Sequence, residues 1–285
     1  MKKIVTFISI LLFMLIFVSF ASAETGSGFR GQNMNGATGL YSIPSGRVGW
    51  ENEKDFGFDM GYRAIINNER GTAHIPAITL TLLKWFELSA AFDIQPKIDF
   101  NNFYKEQDNE DLLIGLKLKL PTAAATAVAI GGSFQLINLA NEEFNYTAYQ
   151  PYIAITYSGK FFSMSADTTV VFGKTFYSGY PNNNSNIDFG MGFDIILFPD
   201  VFKNTVHWII DFSNFSYSDN AWPNNLVHGS GPAWYRGILN SGFRIDLASI
   251  PALSKNKFLL DFVFNDLFDD WERSFTIGVV FGFEL

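Results

Sequence analysis

Ser274-Phe275-Thr276-Ile277-Gly278-Val279-Val280-Phe281-Gly282-Phe283-Glu284-Leu285 is the stretch that decides the fold. Phe275, Ile277, Val279, Phe281, Phe283 and Leu285 are large and apolar. Between them stand Ser274, Thr276, Gly278, Gly282 and Glu284, small or polar, with Val280 the one exception. A period of two is the mark of a β-strand with two unlike faces. The same alternation runs through Phe56, Phe58, Met60, Tyr62 and Ala64, through Phe86, Leu88, Ala90, Phe92 and Ile94, and through Leu112, Ile114, Leu116, Leu118 and Leu120. It returns at Ile187, Phe189, Met191, Phe193 and Ile195, and at Phe258, Leu260, Phe262 and Phe264.

Working outward from these, the sequence predicts strands at 55–66, 72–83, 86–100, 111–120, 124–138, 146–158, 161–177, 186–198, 204–214, 233–248, 257–266 and 273–285. Each is near the ~9–11 residues that a tilted strand needs to cross a bilayer. The connections alternate as well. Leu83-Lys84-Trp85, Pro121-Thr122, Ser158-Gly159-Lys160 and Pro199-Asp200 are short, whereas Asn101 to Glu110, Tyr177 to Asn186 and Asn214 to Pro232 are long and polar. Ala248 to Asn256 is longer than the short-turn rule expects. Short turns at one end and long loops at the other are the pattern of an outer-membrane barrel. The expected fold is therefore all-β: a transmembrane antiparallel up-and-down β-barrel of about 12 strands.

Composition agrees. The 285 residues are 48% hydrophobic and 17% aromatic, and only 17% are charged, which is thin cover for a water-soluble surface. There is no Cys, so thiol chemistry, disulfides and lipid attachment through an N-terminal Cys are excluded. A net charge of −8 argues against a nucleic-acid partner. Lys2 and Lys3, the apolar run Ile4 to Phe20 and Ala21-Ser22-Ala23 have the form of a cleaved export signal. The expected organisation is a signal peptide at 1–23 and a transmembrane barrel at 55–285. Residues 24–54 are expected to sit in the periplasmic mouth, to tuck inside as a plug, or to form a disordered lead-in. The expected location is the bacterial outer membrane.

The polar faces carry both signs of charge. Asp59, Glu87, Asp93, Asp167, Asp194, Asp211 and Asp261 stand with Arg63, Lys97, Lys117, Lys119, Arg236 and Arg244, and this set is expected to line a wet lumen. Inward glycines such as Gly57, Gly61, Gly190, Gly192, Gly278 and Gly282 would reduce its bulk. Of the three histidines, His74 and His207 are expected to be lumenal, and His228 lies in a long loop. His207 shares a face with Asp211 but is two positions away along one strand. The three have no metal-ligand spacing. Acidic groups at Asp108, Glu110 and Asp111, at Glu142 and Glu143, and at Asp266, Asp269, Asp270 and Glu272 read as solvated loop charge. A sharper reading makes them divalent-cation bridges to anionic glycolipid. Lys84, Lys160, Lys203 and Lys255 fall at or near short turns, within reach of anionic phospholipid headgroups.

Two resemblances add to this. The final strand resembles the C-terminal signal of bacterial outer-membrane barrels, which implies the barrel-assembly machinery as a partner; it departs from that pattern in ending with Leu285 instead of Phe. Asn35-Gly36-Ala37-Thr38-Gly39-Leu40-Tyr41-Ser42-Ile43-Pro44-Ser45-Gly46-Arg47 is similar to the opening of YjbH-type barrels, a family linked to exopolysaccharide export. Together the readings favour a channel or export-accessory barrel for polar solutes or polysaccharide, in contact with outer-membrane lipids. A plugged barrel acting through its outer loops is the alternative, and a rim hydrolase ranks last. No catalytic residue, metal or cofactor is assigned.

Overall fold

The computed structural model describes residues 30–51, 55–67, 71–98, 107–122, 124–137, 146–178, 187–214, 237–249, 253, 256–268 and 273–284. The expected signal peptide, His228, Lys255 and most of the expected long loops lie outside them. The strands are β1 Phe56–Asn67, β2 Gly71–Leu82, β3 Phe86–Ile98, β4 Gln107–Leu120, β5 Thr126–Ile137, β6 Tyr146–Phe161, β7 Met164–Gly173, β8 Phe176–Ser178, β9 Asp188–Ile196, β10 Val206–Ser213, β11 Ile238–Asp246, β12 Lys257–Asn265 and β13 Ser274–Glu284. All pair antiparallel and, β8 apart, each pairs with its neighbours along the chain. β8 is a three-residue continuation that pairs with β6 alone, while β7 lies between β6 and β9. The ring closes where β1 pairs with β13, from Gly57 opposite Glu284 to Ile66 opposite Phe275. The result is a closed twelve-stave barrel with no open edge, as hydrocarbon demands of any sheet that crosses it.

The two faces sort as the alternation predicts. Leu116 (54% exposed), Ile130 (52%) and Phe264 (52%) project outward, while Asp59, Arg63, Glu87, Lys117 and Arg244 are buried inside. Half-exposed Leu, Ile and Phe all round a cylinder would be a liability in water and are at home in lipid. The outward polar groups satisfy one another: Trp208 Nε1 donates to Ser241 Oγ at 2.9 Å, and Tyr62 Oη meets His74 Nδ1 at 2.6 Å. His74 therefore faces outward, not into the lumen. Its neighbour Ile75 is inside, because that inner face packs on apolar groups.

Those apolar groups belong to residues 30–51. Every residue from Gly31 to Trp50 is buried within the barrel. The segment folds on itself through bridges Gln32–Thr38 and Gly39–Pro44. Backbone bonds run from Met34 N to Tyr41 O (3.0 Å) and from Ser45 N to Thr38 O (2.9 Å). Gly36 has φ 79°, and a Cβ there would lie 2.8 Å from the Ala90 carbonyl oxygen, so only glycine fits. Met34, Leu40, Tyr41 and Ile43 pack on inward Ile75, Ala77, Leu113, Tyr152, Val171, Ile209 and Val263. The barrel thus has an internal core as well as an oily exterior.

Candidate functional site

The interior surface between this plug and the wall is the candidate site. Carboxylates of the wall hold the plug. Glu87 on β3 accepts from two plug amides, Thr38 N at 2.8 Å through Oε1 and Gly49 N at 3.1 Å through Oε2. Lys117, directly opposite on β4, pairs with Glu87 at 2.8 Å and donates to the Thr38 carbonyl at 3.0 Å. One ion pair thereby ties both limbs of the plug. Asp211 on β10 accepts the amides of Tyr41 and Ser42, each at 2.8 Å through Oδ2. Its other oxygen takes Ser42 Oγ and Asn240 Nδ2, both at 2.8 Å. Asp59 on β1 accepts Trp50 Nε1 at 2.8 Å and pairs with Lys257 at 2.8 Å. Lys257 also lies 4.8 Å over the Trp50 ring and donates to the Gly49 carbonyl.

Both ends of the plug lie near the short-turn end. Arg30 pairs with Asp167 at 3.4 Å, and Arg47 reaches Ser158 Oγ at 2.7 Å and Glu51 at 3.2 Å. Lys119 pairs with Glu51 at 3.0 Å. Burial pushes the Glu51 carboxyl up, but Arg30, Lys119 and Arg47 outweigh it and hold it below the ordinary carboxylate range. A further cluster is part of the wall itself. Arg244 makes two bonds to Asp261, at 2.7 and 3.1 Å, and reaches Asp194 at 3.3 Å.

The expected lumenal charges thus have two fates. Asp59, Arg63, Glu87, Asp93, Lys117, Asp211, Arg244 and Asp261 are buried on the inner face, and Lys119, Asp167 and Asp194 are partly buried there. Asp59, Arg63, Glu87, Lys117 and Asp211 bond to the plug, Arg244, Asp261 and Asp194 bond to one another, and Asp93 accepts from Gln95. Arg236 and the side chain of Lys97 lie outside the described residues. His207 is inside but pairs with Asp194 at 2.6 Å on the neighbouring strand, not with Asp211. Its other nitrogen faces the Asn204 carbonyl at 3.1 Å. Among the described residues no three His, Asp or Glu side chains gather as a metal set.

The sequence reading did not single out Lys257, Trp50 or Thr156, whose hydroxyl accepts the plug's Gly46 amide at 2.9 Å. Lys257 was legible in principle: it shares parity with Asp261 on β12 and lies opposite Gly282, which lies opposite Asp59. Gly57, Gly61, Gly190 and Gly192 are sockets for plug side chains, while Gly278 and Gly282 make room for Arg63 and Asp59 of the wall. A Cβ on Gly57 would stand 2.2 Å from the Trp50 ring, on Gly190 2.5 Å from Ile43, and on Gly61 1.9 Å from Gln32 Oε1. Gly61→Val is therefore expected to push Gln32 off the wall and expose the plug to protease while β1 still pairs. Limited trypsin digestion of folded protein, read for cleavage after Arg47, checks this; wild-type resistance would mean the socket adapts.

No protein-family profile and no curated protein matches the sequence. In three dimensions the chain is similar to the KdgM porin, at 9% identity and TM-score 0.49, over 80% of this chain and 99% of that one. It is similar to LpxR from Salmonella typhimurium at 9% identity and TM-score 0.48, over 80% and 100%. It is also similar to the Acinetobacter baumannii outer membrane protein Omp33 at 10% identity and TM-score 0.43, over 83% and 100%.

Proposed function

We propose that the protein is a bacterial outer-membrane channel of the porin-like kind, closed by its own residues 30–51 and conducting polar solutes when that segment withdraws. The observation that carries this is the chemistry of the wall behind the plug. A wall made only to be filled has no need of ions, because apolar residues fill the same space at least as well as buried ion pairs, whose pairing at best repays their desolvation. Here Glu87, Lys117, Arg63, Asp211, Lys257 and Asp59 face inward and bond to the plug, largely through its main chain. With the plug gone, water would take its place against the same groups, as it does in polar barrel lumens. The placement of Arg30 and Glu51 near one mouth lets the segment leave as a loop, without threading.

The chain has no Cys, and Ser42 Oγ and Ser213 Oγ are 2.9 Å apart, so the pair Ser42→Cys and Ser213→Cys can lock the plug to β10. In planar bilayers the parent is expected to show opening events, the oxidised variant to be silent, and reduction to restore the events. A parent that inserts yet never conducts, or a locked variant that conducts like the parent, would sink the channel reading. The first outcome would favour the other reading, a permanently plugged barrel acting through its outer loops. The packing of Met34, Leu40, Tyr41 and Ile43 into the internal core is what supports that alternative. The stretch Asn35 to Arg47, which carries the exopolysaccharide-export resemblance, is the plug itself; the finer proposal is a polar polymer as the solute. Open channels that pass small sugars but exclude oligosaccharides would overturn it.

A further inference from the structure

The short-turn end of the barrel carries apolar tips on strained backbone. Phe162 and Ser163 form the whole loop between the paired residues Phe161 and Met164, with φ 45° and 70°. Two positive φ values in a two-residue loop make a type I′ turn, which favours Asn-Gly. A bulky aromatic there is a poor choice for the backbone, yet Phe162 is 85% exposed. The β2–β3 turn repeats the choice with Leu83 (φ 52°, 52% exposed), and the β9–β10 connection repeats it with Phe198 (φ 45°, 59% exposed). Three separate turns that place a large exposed apolar side chain in left-handed backbone share a requirement beyond turn-making.

The tips are continuous with the oily wall. The Phe162 ring meets Phe161 edge-on at 4.7 Å, and Phe161 packs against the outward Phe193 at 5.3 Å. A lysine lies within five residues of each tip: Lys84 directly after Leu83, Lys160 two before Phe162 and Lys203 five after Phe198. Apolar tip and long cationic neighbour together fit the boundary between acyl chains and phosphate-bearing headgroups. The three turns join β2 to β3, β6 to β7 and β9 to β10, so the tips are spread over half of the ring. Tips spread over six staves and continuous with the oily wall fit a lipid sheet better than a single protein partner.

We propose that Leu83, Phe162 and Phe198 are wedges that seat the short-turn end of the barrel in the phospholipid monolayer around it, with Lys84, Lys160 and Lys203 on its phosphates. This rests on the reading of the barrel as membrane-spanning. With no native Cys, single nitroxide labels at Phe162→Cys and, halfway up the wall, at Ile130→Cys report cleanly in phosphatidylcholine vesicles. Both are expected to be more accessible to oxygen than to a water-soluble nickel chelate. If position 130 is lipid-embedded while 162 meets the chelate, the wedge is refuted and the membrane reading survives. If both meet the chelate, both readings fall. A second variant carries Phe162→Asn with Ser163→Gly, the better turn on backbone grounds. It is expected to fold into the same vesicles several-fold more slowly than the parent, because it has lost its lipid contact. Folding as fast or faster would show the tip to be only a turn, and would overturn the proposal.

Discussion

Glu87→Ala is expected to free the plug and to lower stability by about 3–5 kcal/mol, the usual cost of removing one partner of a buried ion pair. Glu87 and Lys117 are each about 1% exposed. Losing the carboxylate strands the ammonium in the interior and takes the bonds from the Thr38 and Gly49 amides with it. Those two amides lie on opposite limbs of the plug, so one substitution loosens both. The denaturant midpoint in detergent should fall, and the opening frequency in planar bilayers should rise. The double variant Glu87→Leu with Lys117→Met removes both charges together, and most of the lost stability should return, since apolar replacement of a whole buried pair is often neutral. The plug amides stay unpaired in it, so its openings should remain frequent. A single variant as stable and as quiet as the parent would show that the plug does not hang on this pair.

Arg244→Met is expected to cost about as much, roughly 3–5 kcal/mol, but to damage the wall itself. The guanidinium is fully buried and bonds two carboxylates on two other strands, Asp261 on β12 and Asp194 on β9. Without it, two anions face each other across β10 and β11 with His207 left on one of them. The expected result is loss of the heat-resistant compact form on cold SDS gels, before any change in conductance can be read. Adding Asp261→Asn should recover part of the stability. If the single variant keeps the compact form at the parent's temperature, the cluster is not a staple of the wall. Asymmetry between the two variants is the informative result: one opens the barrel, the other unmakes it.

Much of the wall was legible because a strand's two faces are a local property. Asp261 and Phe262 announce opposite environments without knowledge of any other strand. All twelve staves therefore fall near where the alternation places them, the bounds differing by a few residues. β2 shows where that local signal fails. Its His74-Ile75-Pro76-Ala77-Ile78 has apolar residues on both faces, since Ile75 meets the internal core and Ile78 meets the outside, and the period is masked. His74 is misplaced for that reason.

Period two, an apolar outer face and alternating short and long connections follow from the amino-acid order, and lipid's intolerance of open edges turns them into a closed barrel. What fills that barrel does not follow. Residues 30–51 have neither a period of two nor a helical one, and their bonds run to side chains as far off as Thr276, 235 positions from Tyr41. Which inward groups meet across the lumen depends on strand register and on the curvature of the whole ring, and no short stretch of sequence encodes either. Only the tertiary structure could show that the charges on the inner face hold a piece of the same chain in place of water.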